Sequence, residues 1–287
     1  MTLNHARVLI ACAALAACDG ASTRDITAPD GERPTEATAA TGRHRIVRAN
    51  GEVLSARSAR RAPGAKPSLP SATAAVNAAA AATTVCDAGV IDPVDGIPEG
   101  GLDGGTYGDV EVPPGAICVL YGVTVTRSVK ALAGSRLFIQ NSQIGGNVKG
   151  LNASAVQVSD ETTIAGNMNV QGAHDDHFAS CSVDNATIVG DLTCADNNPG
   201  SPIIRAEQGP TEIGGSVKLV DNVIPAGHVM LLLNAVVGAD AGVRRNSGAG
   251  FKSVNGNTVT GELICKKNDP TFTGGPNTAG EVQDQCF

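Results

Sequence analysis

The densest group of chemically capable side chains in this sequence is His174-Asp175-Asp176-His177. Imidazole nitrogens and carboxylate oxygens ligate metal ions, and Ca²⁺ held by carboxylates can bind acidic sugars. The four residues could therefore form a metal site, or Asp175 and Asp176 could be catalytic residues that act on a polysaccharide with Ca²⁺ as cofactor. We favour a solvated loop instead, because two adjacent carboxylates supply too few oxygens for Ca²⁺.

Other sequence features also favour a non-enzymatic protein without a cofactor. A polysaccharide lyase needs a placed Arg or Lys base as well as acids. Sugar-binding clefts usually offer aromatic platforms, whereas Phe, Trp and Tyr make up only 2% of this chain. The sequence contains no Gly-x-Ser-x-Gly elbow, no His-Glu-x-x-His zinc motif and no Gly-Lys-Ser/Thr phosphate-binding loop.

The N-terminal residues have the features of an export signal. Arg7 precedes the apolar run Val8–Ala14, which is too short to span a bilayer. The run ends in Leu15-Ala16-Ala17-Cys18, which resembles the lipobox of bacterial lipoprotein signal peptides. This resemblance implies cleavage before Cys18 and lipidation of its sulfur, and several acyl chains on one residue anchor a protein stably. An ordinary secretory signal, with Cys18 incidental, is the alternative.

The rest of the chain is organised around a repeated phrase. It occurs as Ile144-Gly145-Gly146-Asn147-Val148 and returns as Ile164-Ala165-Gly166-Asn167-Met168. A structural unit copied every 19 to 25 residues predicts a solenoid. The central positions of the copies are Gly108, Arg127, Gly146, Gly166, Gly190, Gly215, Gly238 and Gly261.

Each copy combines a short apolar strand such as Leu137–Ile139, a polar corner and the Gly-centred phrase. Three short strands and three corners make one turn of a parallel β-helix, in which equivalent Ile and Val side chains stack inside. We predict an all-β, right-handed parallel β-helix of about eight coils. The turn around Ala239–Gly250 departs most, because Arg244-Arg245 stands where an apolar residue is expected. Corner asparagines are predicted to form an amide ladder, and they are Asn141, Asn185 and Asn234.

Six cysteines remain beyond Cys12 and Cys18, and an even set in an exported chain indicates disulfides, with 15 possible connectivities. Cys194 and Cys265 occupy equivalent positions three coils apart, roughly 14 Å, whereas a bridge needs Cα atoms within about 7 Å. Zinc binding is the weaker alternative, because no Cys-x-x-Cys pair occurs. We predict disulfide-pinned ends and three bridges: Cys86–Cys118, Cys181–Cys194 and Cys265–Cys286.

Charge and composition divide the chain into segments. Residues 1–85 carry ten of the 21 basic and six of the 28 acidic residues, so residues 86–287 carry 11 basic and 22 acidic ones. An acidic domain without a basic stripe is a poor partner for nucleic acid. Residues 18–85 contain few large apolar side chains to bury. We predict a lipoprotein signal peptide at 1–17, a disordered Ala/Thr/Arg/Pro-rich tether at 18–85 and the parallel β-helix domain at 86–287.

The chain also resembles a group of uncharacterised secreted bacterial parallel β-helix proteins, common in actinobacteria. The resemblance covers roughly residues 86–287 and rests on the repeated phrase, Pro113–Cys118 and the ending Leu263–Cys265 with Gln285-Cys286. The terminal cysteine pair is its more specific part, since similar repeats occur in other β-solenoids, including bactofilin-type polymers. The resemblance implies the fold and no particular activity.

These features together predict an exported, lipid-anchored module of the cell envelope or surface, with a display, binding or structural role. Its expected partners are a membrane, through the lipid anchor, and an envelope polysaccharide or a protein. The alternative function is a polysaccharide-active β-helix enzyme, a lyase or hydrolase, that uses the Asp175/Asp176 loop.

Overall fold

Short β-strands follow one another along one continuous solenoid in the computed structural model, which describes residues 43–57, 82–93, 96–207 and 209–286. No helix occurs in these ranges. The strands are β1 Arg43–Val47, β2 Val53–Arg57, β3 Thr83–Val85, β4 Val90–Ile91, β5 Pro98–Glu99, β6 Gly101–Asp103, β7 Thr106–Tyr107, β8 Asp109–Val112, β9 Ile117–Tyr121, β10 Thr124–Val125, β11 Val129–Ala131, β12 Arg136–Gln140, β13 Gln143–Ile144, β14 Val148–Leu151, β15 Ala155–Ile164, β16 Met168–Gln171, β17 Cys181–Ile188, β18 Leu192–Ala195, β19 Pro202–Arg205, β20 Glu212–Ile213, β21 Val217–Val220, β22 Val229–Leu233, β23 Val236–Val237, β24 Ala241–Arg244, β25 Phe251–Asn255, β26 Thr258–Lys266, β27 Thr273–Gly274 and β28 Thr278–Asp284.

The solenoid strands form three parallel ladders, which we call faces A, B and C. Every pairing in the 24-stranded sheet of the solenoid is parallel, whereas β1 with β2 and β4 with β5 form separate antiparallel pairs. Face A contains β6, β9, β12, β19, β22, β25, β27 and the first parts of β15 and β17. Face B contains β7, β10, β13, β20, β23, the last parts of β15 and β17 and the first parts of β26 and β28. Face C contains β3, β8, β11, β14, β16, β18, β21, β24 and the last parts of β26 and β28. The prediction of a parallel β-helix is confirmed.

The solenoid has nine turns, one more than predicted. One column of inward positions on face B counts them: Tyr107, Val125, Ile144, Ile164, Ile188, Ile213, Val237, Val259 and Ala279. The ninth turn was not recognised in the sequence because its copy of the repeated motif is one residue shorter. The register between β26 and β28 shifts between Val259 and Glu262, so that a single residue, Gly280, replaces two.

Aliphatic side chains fill the interior without any aromatic stack. On face B, Val125, Ile144, Ile164 and Ile188 are no more than 2% exposed. Equivalent positions on face C are equally buried, and each Val, Leu or Ile withdrawn from water contributes about 1.5–3 kcal/mol. Stacking of equivalent positions from successive repeats therefore builds the core from branched aliphatic residues.

The polar position of the repeated phrase ties each turn to the next. The Oδ1 atom of Asn147 accepts a hydrogen bond from the backbone N–H of Asn167 at 2.8 Å. Asn167 accepts from the N–H of Asp191 in the same way, and Asp191 from that of Ser216, both at 2.8 Å. The preceding glycine belongs to the same contact, because a Cβ atom at Gly190 would collide with Oδ1 of Asn167.

A second polar ladder lies buried at the corner that leads from face C to face A. Asn197, Asn222, Asn246 and Asn268 are 0–4% exposed. Each Nδ2 donates to the side-chain oxygen of the next amide, at 2.7, 2.8 and 3.0 Å along this series. Gln285 ends the ladder, accepting from Asn268 at 3.1 Å. These amides satisfy one another and the nearby backbone inside the core.

Asn141, Asn185 and Asn234 lie at corners, as predicted, but they do not form an amide ladder. These residues stand at the corner between faces A and B with φ angles of 48°, 52° and 54°. Asparagine tolerates this left-handed conformation better than most residues, so its role at the corner is to adopt the positive φ angle. The four-asparagine ladder lies at the corner between faces C and A, and a shorter amide pair, Asn257 with Asn277 at 3.0 Å, lies at the corner between faces A and B in the last turns.

All three predicted disulfides are present. Their Cα–Cα distances are 5.6 Å for Cys86–Cys118, 6.1 Å for Cys181–Cys194 and 5.2 Å for Cys265–Cys286. Cys194 and Cys265 lie in one inward column of face C, three turns apart, as expected. The first and last bridges pin the two ends of the solenoid, and Cys181–Cys194 crosses its interior.

The turn around Ala239–Gly250 is regular despite its arginines. Ala241 and Val243 are fully buried and fill the two inward positions of face C. Arg245 stands at the corner and donates to both carboxylate oxygens of Asp221, at 2.7 and 2.6 Å. This bidentate pair lowers the pKa of Asp221 and raises that of Arg245.

Lys252 occupies an inward position on face A, level with Met230 in the preceding turn. It is only 4% exposed, and its Nζ donates to the carbonyl oxygens of Gly248, Gly250 and Asp269. Burial disfavours the charged ammonium group and lowers the pKa of Lys252. The carbonyl oxygens offset part of that cost.

Residues 43–57 form a β-hairpin, so the prediction of a disordered tether is wrong for this part of 18–85. Strands β1 and β2 pair antiparallel, with Val47 opposite Val53. The solenoid itself starts with β3 at Thr83, three residues before the predicted boundary. The predicted signal peptide at 1–17 and Cys18 lie outside the described residues. The ranges that the structure describes contain no helix long and apolar enough to cross a membrane.

Candidate functional site

The hairpin docks on face A through the side-chain amide of Gln157, which hydrogen-bonds the backbone of the hairpin as the backbone of a neighbouring strand would. Gln157 is an outward residue of β15, yet it is only 4% exposed. Its Oε1 accepts from the N–H of Val47 at 2.9 Å, and its Nε2 donates to the carbonyl of Val47 at 2.7 Å and to that of Ala179 at 3.1 Å. The N–H of Ala179 also donates to the carbonyl of Val47, at 2.9 Å. This network fixes the register of the hairpin on the solenoid.

Apolar side chains fill the space beneath the hairpin. Ile46 is fully buried in a cluster that includes Val119, Phe138 and Phe178. The rings of Phe138 and Phe178 meet edge to face, with centroids 5.5 Å apart. On the other side Val47 packs with Ala179, Ile203 and Leu231. Two of the five phenylalanines in the chain thus serve this junction rather than the solenoid interior.

The tip of the hairpin is held on both sides by the backbone and by polar side chains. The N–H of Ala49 donates to the carbonyl of His177 at 3.0 Å, and the carbonyl of Ala49 accepts from the N–H of Val229 at 2.9 Å. The hydroxyl of Ser201 donates to the same carbonyl at 3.0 Å. Arg205 reaches the carbonyl of Gly51 at 3.0 Å while its Nε contacts Asp184 at 3.3 Å. The tip is therefore locked in place, and we call the docked hairpin the clasp.

A notch of about 400 Å³ opens beside the clasp tip. Five separate parts of the chain meet there: the clasp tip, the segment that contains Ile91 and Gly96, the start of β12, the 176–178 loop, and the turn before β22. Its polar lining consists of Arg48, Asn50, Arg136, Asp176, His177 and His228. This volume falls in the range of small-molecule sites.

Asp175 is a structural residue. It is 3% exposed, and its Oδ2 accepts from Nε of Arg136 at 2.6 Å. Its Oδ1 accepts from the backbone N–H groups of His177 and Phe178 at 2.8 and 3.0 Å. Both carboxylate oxygens thus order the loop, and this geometry argues against a role for Asp175 as a catalytic or metal-binding residue.

The rest of the predicted cluster splits apart. His174 is exposed, with Nδ1 3.3 Å from the carbonyl oxygen of Gly172. Asp176 and His177 are exposed and turn to the notch. In the parts of the chain that the structure describes, no three His, Cys, Asp or Glu side chains meet in a way that could hold a metal ion.

Sequence reasoning missed the other notch residues. Arg48 lies beside Asn50-Gly51, and an Asn-Gly pair between alternating apolar residues is a strong hairpin signal that composition obscured. Arg136 and His228 carry no local signal, because tertiary contacts alone bring them to the notch.

Comparison of the chain with known protein-family models, curated proteins and solved structures finds no match.

Proposed function

We propose that this chain is an exported, lipid-anchored and non-enzymatic β-helix of the bacterial cell envelope, which displays a rigid surface to a polysaccharide or protein partner. The clasp carries this proposal. It fixes the chain that precedes the solenoid to face A by the backbone contacts of Val47 and Ala49. An anchor at Cys18 would therefore hold the rod by its side rather than by one end.

The construction of the solenoid suits a scaffold. Three disulfides bridge it, and two ladders of polar side chains link successive turns. Such cross-linked turns resist local opening, which favours a constant surface over a moving active site. The paired carboxylate of Asp175 supports the same conclusion, because the best catalytic candidate in the sequence maintains the loop.

The proposed attachment also limits the distance from the membrane. Residues 19–42 are the 24 residues between Cys18 and the clasp. A chain of that length reaches at most about 80 Å when fully extended. The start of the clasp at Arg43 would stay within this distance of the bilayer.

The anchor is tested by metabolic labelling with a palmitate analogue. We expect the full chain to incorporate label and to sediment with membranes, whereas Cys18→Ala should lose both properties. Cys12→Ala is the matched control, because it changes a cysteine of the same segment outside the lipobox. Label retained in Cys18→Ala would contradict the anchor.

The non-enzymatic role is tested by incubating the purified full chain with uronate-containing and neutral polysaccharides, with and without Ca²⁺. We expect no unsaturated or new reducing ends above a heat-denatured control. Product that disappears in Asp176→Ala but persists in Asp191→Ala, an acidic change far from the notch, would establish the polysaccharide-active alternative.

A further inference from the structure

The notch beside the clasp tip brings two arginines together on an otherwise acidic domain. Its lining contains the guanidinium groups of Arg48 and Arg136 and one carboxylate, that of Asp176. Residues 86–287 as a whole carry 11 basic and 22 acidic side chains. Each guanidinium already contacts a carboxylate, Asp175 for Arg136 and Glu52 for Arg48. The attraction for an anion therefore comes from the remaining N–H donors of the two arginines and not from a net positive charge.

Arg136 is oriented for bidentate recognition of an anion. Its Nε is bound to Asp175 at 2.6 Å, and its Cζ lies 5.7 Å from the ring centroid of Phe178. These contacts fix the guanidinium plane, while the side chain keeps 29% exposure. Its two terminal nitrogens make no hydrogen bond to the described residues, so the outer fork can bind two oxygens of one carboxylate or phosphate.

A second cation, Arg48, comes from the clasp itself. Its guanidinium is 3.5 Å from Glu52, and the side chain is 42% exposed, so that ion pair is loose. Loose surface pairs contribute little and exchange readily for a better partner. An anion in the notch would thus contact arginines from two elements, one in the clasp and one in the solenoid.

His228 presents a defined ring nitrogen to the same notch. Its Nδ1 is 3.1 Å from Oγ of Ser201, and that hydroxyl gives its single proton to the carbonyl of Ala49. Nδ1 must therefore be the donor, which leaves Nε2 of the neutral ring as an acceptor. Nε2 makes no hydrogen bond to the described part of the chain and can accept from a ligand hydroxyl.

We propose that this notch binds a small organic ligand that carries a carboxylate or phosphate group and at least one hydroxyl. The anion would pair with Arg48 and Arg136, and a hydroxyl would donate to His228. Sugar acids and sugar phosphates share this chemistry. The proposal goes beyond the scaffold role and does not depend on the lipid anchor.

Binding would also strengthen the clasp. Arg48 lies on the hairpin, whereas Arg136 and His228 belong to the solenoid, so the complete notch exists only while the hairpin is docked. A ligand that binds only the docked form shifts the docking equilibrium toward it. The ligand is therefore expected to slow hydrogen exchange in residues 43–57.

Calorimetric titration of the purified full chain tests the site, with D-glucuronate, glucose 6-phosphate, inorganic phosphate and glucose as probes. We expect at least one of the three anions to bind at least about tenfold more tightly than glucose, because charge-assisted hydrogen bonds are lost with the neutral sugar. A preference for glucuronate would identify a carboxylate site and a preference for either phosphate a phosphate site.

Arg48→Gln is expected to weaken binding of the preferred anion about tenfold or more, and Arg136→Lys to weaken it by removing the fork. The matched control is Arg127→Gln, an arginine whose side chain is 59% exposed and paired with Asp109 at 3.2 Å away from the notch. If no anion binds better than glucose, or if Arg48→Gln and Arg127→Gln bind equally well, the proposal is overturned. Palmitate labelling would be unaffected by either result.

Discussion

Replacing Asn222 with alanine is expected to lower the free energy of unfolding by about 3 kcal/mol or more. The amide of Asn222 donates to Asn246 at 2.8 Å and to the carbonyl of Cys194 at 3.1 Å. Its Oδ1 accepts from both the backbone N–H and the Nδ2 of Asn197, at 3.3 and 2.7 Å. Alanine would remove the acceptor of the N–H and Nδ2 of Asn197 and the side-chain donor to the carbonyl of Cys194, whereas Oδ1 of Asn246 would keep the backbone N–H of residue 222 at 3.1 Å. Each buried group left unsatisfied costs about 1–3 kcal/mol.

Urea unfolding with the disulfides intact measures this effect. Asn169→Ala is the matched control, because Asn169 is exposed on face C and its side chain has no hydrogen bond to the described residues. That variant should change the free energy of unfolding by no more than about 0.5 kcal/mol. Equal unfolding midpoints for Asn222→Ala and Asn169→Ala would show that the ladder does not stabilise the fold.

Ile46→Asp is expected to release the clasp while the solenoid stays folded. Ile46 is fully buried against Val119, Phe138 and Phe178. Removing its side chain and burying a carboxylate there should cost about 3 kcal/mol or more. A two-stranded hairpin is at best marginally stable alone, so the loss falls on docking rather than on the turns beneath it.

Limited trypsin digestion measures the release of the clasp as the rate of cleavage within the hairpin. Cleavage within residues 43–57 should become about 100-fold faster in Ile46→Asp, because proteolysis follows the population of the open form. Glu52→Gln changes an exposed residue of the same hairpin and should cleave at the wild-type rate. Resistance of Ile46→Asp to trypsin, or loss of its β-sheet circular dichroism, would contradict an independent clasp.

The repeat made the solenoid and its disulfides predictable from the sequence. Equivalent residues such as Ile144, Ile164 and Ile188 must stack when one unit is copied along the chain. That stacking determines which turn of the solenoid contains each cysteine, and therefore which cysteines lie close enough to pair. The corner asparagines were assigned wrongly because sequence spacing does not say which corner faces inward. Asn197 and Asn222 are buried by the path of the chain between faces C and A.

The clasp and the notch could not be predicted from the composition of the sequence. An average over 18–85 hides the short alternation around Asn50-Gly51, which forms a hairpin only because face A offers it an apolar bed. Asp175 looked chemically free because its partner, Arg136, lies 39 residues earlier in the chain. The loop motif was visible, but the long-range contact that decides its role was not.

Hydrogen exchange at the amides of Val47 and Ala49 in the full chain tests most directly whether the clasp holds the solenoid by its side. The two amides donate to Oε1 of Gln157 and to the carbonyl of His177 at 2.9 and 3.0 Å. We predict exchange at least about 100-fold slower than in an unstructured peptide. Exchange at unstructured rates, while the amides of β12 and β15 remain protected, would contradict the account.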